Sequence, residues 1–427
     1  MSKVAIIGYG VEGQSAYKYW LGKGDTVVIH DANPDQEFPE GATVVAGPDY
    51  LKNLDQYDLV SRGPAVKPWE IKTKARITSV MDEFFRQCPA RVIGVTGTKG
   101  KGTTVSLIGR ILGESGWRTW VGGNIGVPPL DFLPKVRANH IVILEMSSFQ
   151  LMDLNISPHI AVCLMIAPEH MNWHHNMREY VAAKGNIFWH QRPEDLAVYN
   201  PRNEYSTDIA QLSPGTKIPY LEAPGAFIQD GEIRMDDQLI CRTDEVGLIG
   251  PHNLENITAA ITATWDLVKK NSEPVRRAVT AFTGLEHRLE LVREVGGVRY
   301  FDDSFATTPE TAMAAIASFE EPKVLILGGS DKQSNYTELG KAIAAGNVRH
   351  VVLIGEMAGK IRKALESAGY TKAVTGSSSM SDVVQSARSL TERGDVVLLS
   401  PACASFGMFK NYKDRGNQFQ AAVKDLR

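Results

Sequence analysis

Residues 95–104 read VTGTKGKGTT. Glycines, lysines and hydroxyls at the end of an apolar run compose a loop that can wrap phosphate. Backbone N–H groups cradle the anion, a lysine neutralises it and a hydroxyl holds its Mg²⁺. The usual spacing is G-x-x-x-x-G-K-[ST]. Here it is shorter, and Gly102 stands where the hydroxyl belongs, one residue before Thr103 and Thr104. Gly97, Thr98, Lys99, Gly100, Lys101, Gly102, Thr103 and Thr104 are the candidate triphosphate-binding residues, with Lys101 as the central charge. A glycine- and lysine-rich turn is the plainer alternative. The helical stretch TVSLIGRILGESG that follows supplies the strand–loop–helix context and favours the phosphate reading.

Two more chemically equipped residues end apolar runs. HIVILEMSSFQL carries Glu145 and HIAVCLMIAPEHMNWH carries His170. In a parallel sheet ligands bind at the carboxyl ends of strands, so both point to the edge that bears the glycine loop. There they could hold Mg²⁺, with Thr103 or Thr104 as an oxygen ligand. Taken singly, His170 reads as a surface histidine and Glu145 as an acid at a helix N-terminus. Fourteen residues after His170, YVAAKGNIF places Lys184 on a helical pattern. By default it is a solvated lysine. The sharper alternative is a lysine that has taken up CO₂ as a carbamate, an anion that supports a second Mg²⁺.

Three α/β blocks must position these residues. The first opens with VAIIGYGVEGQSAYKYW, where Gly8, Gly10 and Gly13 meet a helical pattern; TVVIHD then ends at Asp31, 18 residues after Gly13. Strand, G-x-G-x-x-G, helix, strand and acid form the dinucleotide-fold fingerprint, although close helix–strand packing alone would explain the glycines. YDLVS adds a strand and RGPAV a turn. The second block begins at ARVIGVTGTKGKGTT. The third starts near 285 and contains the apolar runs VLILGG, VVLIG and DVVLLSPA with helical segments between them. The stretch from about 200 to 245, rich in Pro, Asp and turn residues, gives only weak strand signals.

The 427 residues suffice for two to four domains, and 43% hydrophobic with 22% charged residues is ordinary for a globular chain. A net charge of -3 gives no general attraction to nucleic acid or anionic membranes. Cys88, Cys163, Cys241 and Cys403 are scattered, which signals neither a disulfide framework nor zinc. The first strand begins within three residues, leaving no room for a signal peptide, and no apolar run approaches the ~18 residues needed to span a bilayer. A cytoplasmic monomer without nucleic-acid or membrane partners is the expectation.

GTKGKGTT, GGNIG, LEMSSFQL, EHMNWH, YVAAK, LIGPHNLENITAA, EHRLE and SPACASFGMFKNYKDRGNQF occur in this order. Together they resemble the Mur ligase family, over nearly the whole chain. SSFQL and the SPACAS segment are specific to the branch that adds glutamate, whereas the glycine loops are generic. The G-K-G-T form also resembles folylpolyglutamate synthases of the same superfamily, so Gly102 is a tolerated variant.

The resemblance implies three domains: a Rossmann-like UDP-sugar-binding domain at 1–86, a central P-loop ATPase-type parallel sheet at 87–284 and a Rossmann-like amino-acid-binding domain at 285–427. It implies that ATP phosphorylates the carboxylate of UDP-MurNAc-L-alanine and that glutamate, with D as the favoured hand, attacks the acyl phosphate through a tetrahedral intermediate. Lys101, Lys184, His170 and Arg288 would be catalytic. The metal would lie against Thr103, Glu145, His170 and Lys184. Asn253 and Asn256, which alone read as helix caps, would contact adenine, and Asp303 the ribose. Gly8, Gly10, Gly13 and Asp31 would hold uridine diphosphate rather than NAD. Asn124, Ser147 and Gln150 would lie along the sugar nucleotide, and Thr307, Lys332, Ser405, Lys410 and Tyr412 around the amino acid. The chain departs from the branch pattern D-S-K-A-T at Phe305, where a phenyl ring replaces the lysine.

Other classes remain open from residues alone. A nicotinamide-dependent oxidoreductase would use Gly8–Gly13 and Asp31 but leave the second loop idle. A non-enzymatic nucleotide switch would need Lys101 but not Lys184 or SPACAS. A folylpolyglutamate synthase would normally lack the first block.

Overall fold

Each apolar run that meets a glycine becomes a parallel strand feeding a helix. The computed structural model describes residues 1–124, 126–248, 250–330 and 334–426. They form two compact units: residues 1–246 with 251–282, and residues 247–250 with 283–427. The class is α/β, as expected.

The first unit holds two parallel sheets. One has five strands in the order Thr43–Ala46, Thr26–Asp31, Lys3–Ile7, Leu59–Arg62, Arg76–Thr78. The other has six: Thr216–Pro219, Leu196–Tyr199, Ile160–Cys163, Arg91–Thr96, Ile141–Glu145, Thr119–Gly123. In each, the strand that feeds a glycine loop lies inside the sheet, where strand order reverses and the carboxyl ends leave a crevice. One apolar core joins the two sheets. Val4, Ile6 and Trp20 of the first block pack with Phe84, Leu130, Phe132, Val142 and Leu144. This shared core makes the first two blocks one contact unit.

The weak stretch between 200 and 245 resolves into a helix, Glu204–Ala210, an edge strand and a small antiparallel sheet of Phe227–Gln229, Glu232–Met235 and Gln238–Arg242. Its signal is weak because three- to five-residue strands with one wet face show little alternation.

The second unit has a six-stranded sheet in the order Glu290–Val295, Val298–Asp302, Val396–Leu399, Lys323–Gly328, Val348–Ile354, Ala373–Thr375. Its first pair is antiparallel and the rest parallel. Separate apolar layers cover its two faces. No helix among the described residues is long and apolar enough to cross a membrane.

Candidate active site

The strand Arg91–Thr96 runs into the second glycine loop, and the helix Lys101–Glu114 leaves it with Gly100 as N-cap at φ +87°. Two loop glycines have no room for a side chain. A Cβ on Gly97 would lie 2.7 Å from the Leu164 side chain, and one on Gly100 2.2 Å from the Asn256 amide oxygen. The backbone therefore turns tightly and presents a helix N-terminus, whose first-turn N–H groups suit an anion.

Lys101 Nζ donates to the carbonyls of Gly97 at 3.1 Å and Thr98 at 2.9 Å. Lys184 Nζ donates to the same Gly97 carbonyl at 2.9 Å and approaches Thr96 Oγ1 at 3.4 Å. Lys184 is 2% exposed, so the default reading of a solvated lysine is corrected. It sits on the inner face of the helix Met177–Trp189 with Tyr180 one turn before it, and its ammonium lies 4.7 Å from that ring's centroid. Burial and the nearby Lys101 charge push its pKa down to about 7. Two amines thus converge on one carbonyl, a setting in which an anion would be favoured.

Asn256 lies within the helix Pro251–Thr264, too far along to cap it. Its Nδ2 donates to Asn253 Oδ1 at 3.0 Å, and its Oδ1 accepts from Thr104 Oγ1 at 3.4 Å. The fold thus brings Asn256, distant in sequence, against the glycine loop, with Asn253 beside it on the same helix. Thr103 is 6% exposed on the first turn of the loop's helix.

Glu145 is buried at the end of its strand, and its Oε1 accepts from Asn124 Nδ2 at 2.8 Å. Asn124 N also donates to the Glu145 carbonyl at 2.9 Å, so Asn124 is placed directly against the carboxylate. His170 has a left-handed backbone (φ +58°), packs on the Phe149 ring at 4.8 Å and faces Glu169 at 3.7 Å. Burial, aided by Lys101 and Lys184 and opposed by Glu169, lowers its pKa and favours the neutral imidazole.

For Mg²⁺, which prefers oxygen, Glu145 and Thr103 supply suitable donors and His170 a weaker one; a carbamate on Lys184 would supply oxygens for a second ion. Among the described residues, His287, Glu290 and Asp302 of the second unit alone form a His/Cys/Asp/Glu trio within metal-binding reach. There Gln420 Nε2 donates to Glu290 Oε2 at 3.0 Å and Asp302 Oδ2 at 3.1 Å, so an amide already satisfies the carboxylates.

The first glycine loop has a different character. Gly8 is left-handed at φ +84°, and a Cβ on Gly13 would meet the Gly8 carbonyl at 2.0 Å. A Cβ on Gly10 would meet nothing within 4 Å, so the loop backbone there is open to close approach. Asp31 accepts from Tyr9 N at 2.6 Å and Asn33 N at 2.8 Å, so it shapes the loop's own backbone. Gln150 Oε1 accepts from Ser147 N at 2.8 Å and Ser147 Oγ at 3.0 Å, while its Nε2 donates to Glu12. Burial pushes the Glu12 carboxyl up to about 7. Fully buried Arg62 clasps Asp153 through Nε and Nη2 at 2.7 Å each and the Phe149 carbonyl at 2.8 Å. Glu12 and Arg62 were missed in the sequence. The available signals were an acid inside a phosphate loop and an arginine ending an apolar strand.

In the second unit, Asp303 is buried, accepts from Ser400 Oγ at 2.8 Å and Leu289 N at 3.3 Å, and burial pushes its pKa up to about 7. Arg288 follows His287, whose Nδ1 lies 2.7 Å from Asp302 Oδ2 with both side chains fully buried. Ser405 is buried, Lys410 is exposed, and the Tyr412 carbonyl accepts from Ser304 Oγ at 2.7 Å. Thr307 is half-buried just before the capped helix Pro309–Ala317. Lys332 lies outside the described residues. Arg415, also missed, is buried and donates to Ser304 Oγ at 2.9 Å, the Ser304 carbonyl at 2.8 Å and the Cys403 carbonyl at 3.2 Å. It binds together the segments that carry Asp303 and Ser405.

Residues 95–264 match the Mur ligase middle domain and residues 287–403 the Mur ligase glutamate ligase domain. A UDP-N-acetylmuramoylalanine–D-glutamate ligase of Clostridium kluyveri is 37% identical over 446 residues, covering 99% of this chain and 97% of the relative. Among solved structures, the UDP-N-acetylmuramate–alanine ligase MurC of Thermotoga maritima superposes with a TM-score of 0.62 at 17% identity over 100% of both chains. MurF of the same organism, in complex with ADP, gives 0.59 at 17% identity over 98% of this chain and 95% of that one. These structural likenesses speak to the fold; the sequence relationship goes further. With both domains matched and more than a third of the residues shared end to end, the chain belongs to the Mur ligase family, in the branch of the UDP-N-acetylmuramoylalanine–D-glutamate ligases.

Proposed function

We propose that the protein is an ATP-dependent ligase that joins D-glutamate to UDP-MurNAc-L-alanine in peptidoglycan precursor synthesis. Its partners are these small molecules, its setting is the cytoplasm, and it works as a monomer in three domains, 1–86, 87–284 and 285–427. The carboxylate of the L-alanyl group takes the γ-phosphate, ADP leaves, and the glutamate amine displaces phosphate from the acyl phosphate through a tetrahedral intermediate.

A carboxylate and a triphosphate repel each other, so charge neutralisation is the main task. Lys101 supplies a cation at the glycine loop and Arg288 a second one for the γ-phosphate. Asn253 and Asn256 face the adenine and Asp303 the ribose. Glu145, Thr103 and His170 would hold Mg²⁺, which would lower the same repulsion. Lys184, whose pKa is depressed by burial and by Lys101, adds CO₂ to its neutral amine with release of a proton, and the carbamate would support a second Mg²⁺. Gly8, Gly10, Gly13 and Asp31 hold the uridine diphosphate, with Ser147, Gln150 and Asn124 beyond it. Thr307, Lys332, Ser405, Lys410 and Tyr412 surround the glutamate.

The convergence of Lys101 and buried Lys184 on the Gly97 carbonyl carries this reading. A nicotinamide enzyme or a simple nucleotide switch gives no reason to bury a second amine there. Phosphate release should require ATP, UDP-MurNAc-L-alanine and D-glutamate together. Release with any one of them omitted, or equal use of L-glutamate, would contradict the assignment.

A further inference from the structure

We propose that Phe305 and the His287–Asp302 pair are positioning residues for Arg288. The inference rests on the ligase reading above. Arg288 lies between two left-handed non-glycine residues, His287 at φ +62° and Leu289 at φ +46°. Such a backbone persists only where its surroundings hold it.

Here every strut is visible. His287 N donates to Glu290 Oε2 at 2.8 Å, Leu289 N to Asp303 Oδ1 at 3.3 Å, and Phe305 N to the His287 carbonyl at 3.0 Å. The His287 ring is clamped by buried Asp302, and Gly416 leaves it room, since a Cβ there would fall 2.2 Å from Nδ1. Gln420 ties Asp302 to Glu290 from the last helix. His287 Nε2 is buried without a hydrogen-bond partner, a cost consistent with a ring held for its Nδ1 contact.

The side chain has its own support. The Arg288 guanidinium carbon lies 5.9 Å from the Phe305 ring centroid, and that ring meets Tyr412 edge-on at 5.2 Å and 82°. A lysine at 305 would set an ammonium beside the guanidinium, whereas a phenyl face attracts it. Phe305 is 39% exposed, so the attraction is modest and its value lies in direction.

Steady-state kinetics and ATP calorimetry on the full chain test this. Phe305→Leu should raise KM for ATP about two- to five-fold and change KM for D-glutamate by less. Phe305→Tyr should restore the wild-type value, and Phe305→Lys should weaken ATP use further. His287→Asn, which keeps a donor toward Asp302, should retain ATP affinity that His287→Ala loses. If KM for D-glutamate rises in Phe305→Leu while ATP parameters stay, Phe305 is an amino-acid contact and the proposal fails. If the His287 variants do not fold, the Phe305 series decides. A wild-type chain that neither binds ATP nor releases phosphate would overturn the ligase reading itself, an outcome distinct from a shift in one KM.

Discussion

The first unit contains two strand–glycine–helix loops with the same backbone device and opposite charge. The loop at Gly8–Gly13 places an acid, Glu12, in the first turn of its helix and ties it to Gln150. The loop at Gly97–Thr104 has no acid in its first turn and gathers Lys101 and Lys184. Both present a helix N-terminus to an anion. The first can only hold, through backbone and open space at Gly10. The second can neutralise developing charge. Position in a parallel sheet creates the crevice, and the few side chains at its rim decide between recognition and chemistry.

The largest test of this contrast is Lys101→Ala. Turnover should fall by about a thousand-fold or more, as when a preorganised charge is lost from a reacting phosphate. Thermal unfolding should stay near wild type, because the side chain contributes charge to the loop and little core volume. Near-normal turnover would reduce the second loop to a holder like the first.

Lys184→Ala should cost somewhat less, on the order of a hundred-fold, and short carboxylic acids should restore part of it by supplying carboxylate oxygens. Because carbamate forms only from the neutral amine, wild-type activity should decline as pH falls through about 7 and recover with added bicarbonate. The group's folded pKa is depressed below that of an ordinary lysine, so the unfolded chain binds more protons between about pH 7 and 10. Stability should rise with pH across that window. Mass spectrometry or ¹³C labelling that finds the amine unmodified under turnover would remove the carbamate.

The smallest effect belongs to Glu12→Gln, which erases the acid from the holding loop. The folded pKa of about 7 lies above the ordinary 4.5, so ionising Glu12 destabilises the fold as pH rises through that interval. Gln should raise stability at pH 8 by up to about 3 kcal/mol and have little effect below about pH 4. KM for the UDP-sugar should climb with pH in the wild type and stay flat in the variant. A flat wild-type profile would mean that the carboxylate does not face the diphosphate.

Apolar runs ending in glycine were sufficient to find the main parallel strands, since period and punctuation are local. Local signals also placed Glu145 at the end of its strand, whereas Lys101 opens the helix after the loop and His170 lies seven residues beyond the strand Ile160–Cys163. They failed for Lys184, whose default reading was solvent, because a helical lysine looks alike on either face. They failed for Asn253 and Asn256, which resemble caps until the helix is seen to begin before them. Glu12, Arg62 and Arg415 escaped because a buried charge is recognised by its partners, and Gln150, Asp153 and Ser304 lie 138, 91 and 111 residues away.

The sequence by itself determined the α/β class, the two glycine loops and the order of the reactive residues, since these depend on side-chain type and spacing along one strand or helix. Only the tertiary structure decided that one core would join the first two sheets, that Lys184 would be buried beside Lys101, and that Phe305 would lie against Arg288. Burial, field and ring contact depend on which distant segments close around a group, and nothing in the local order of residues carries that information.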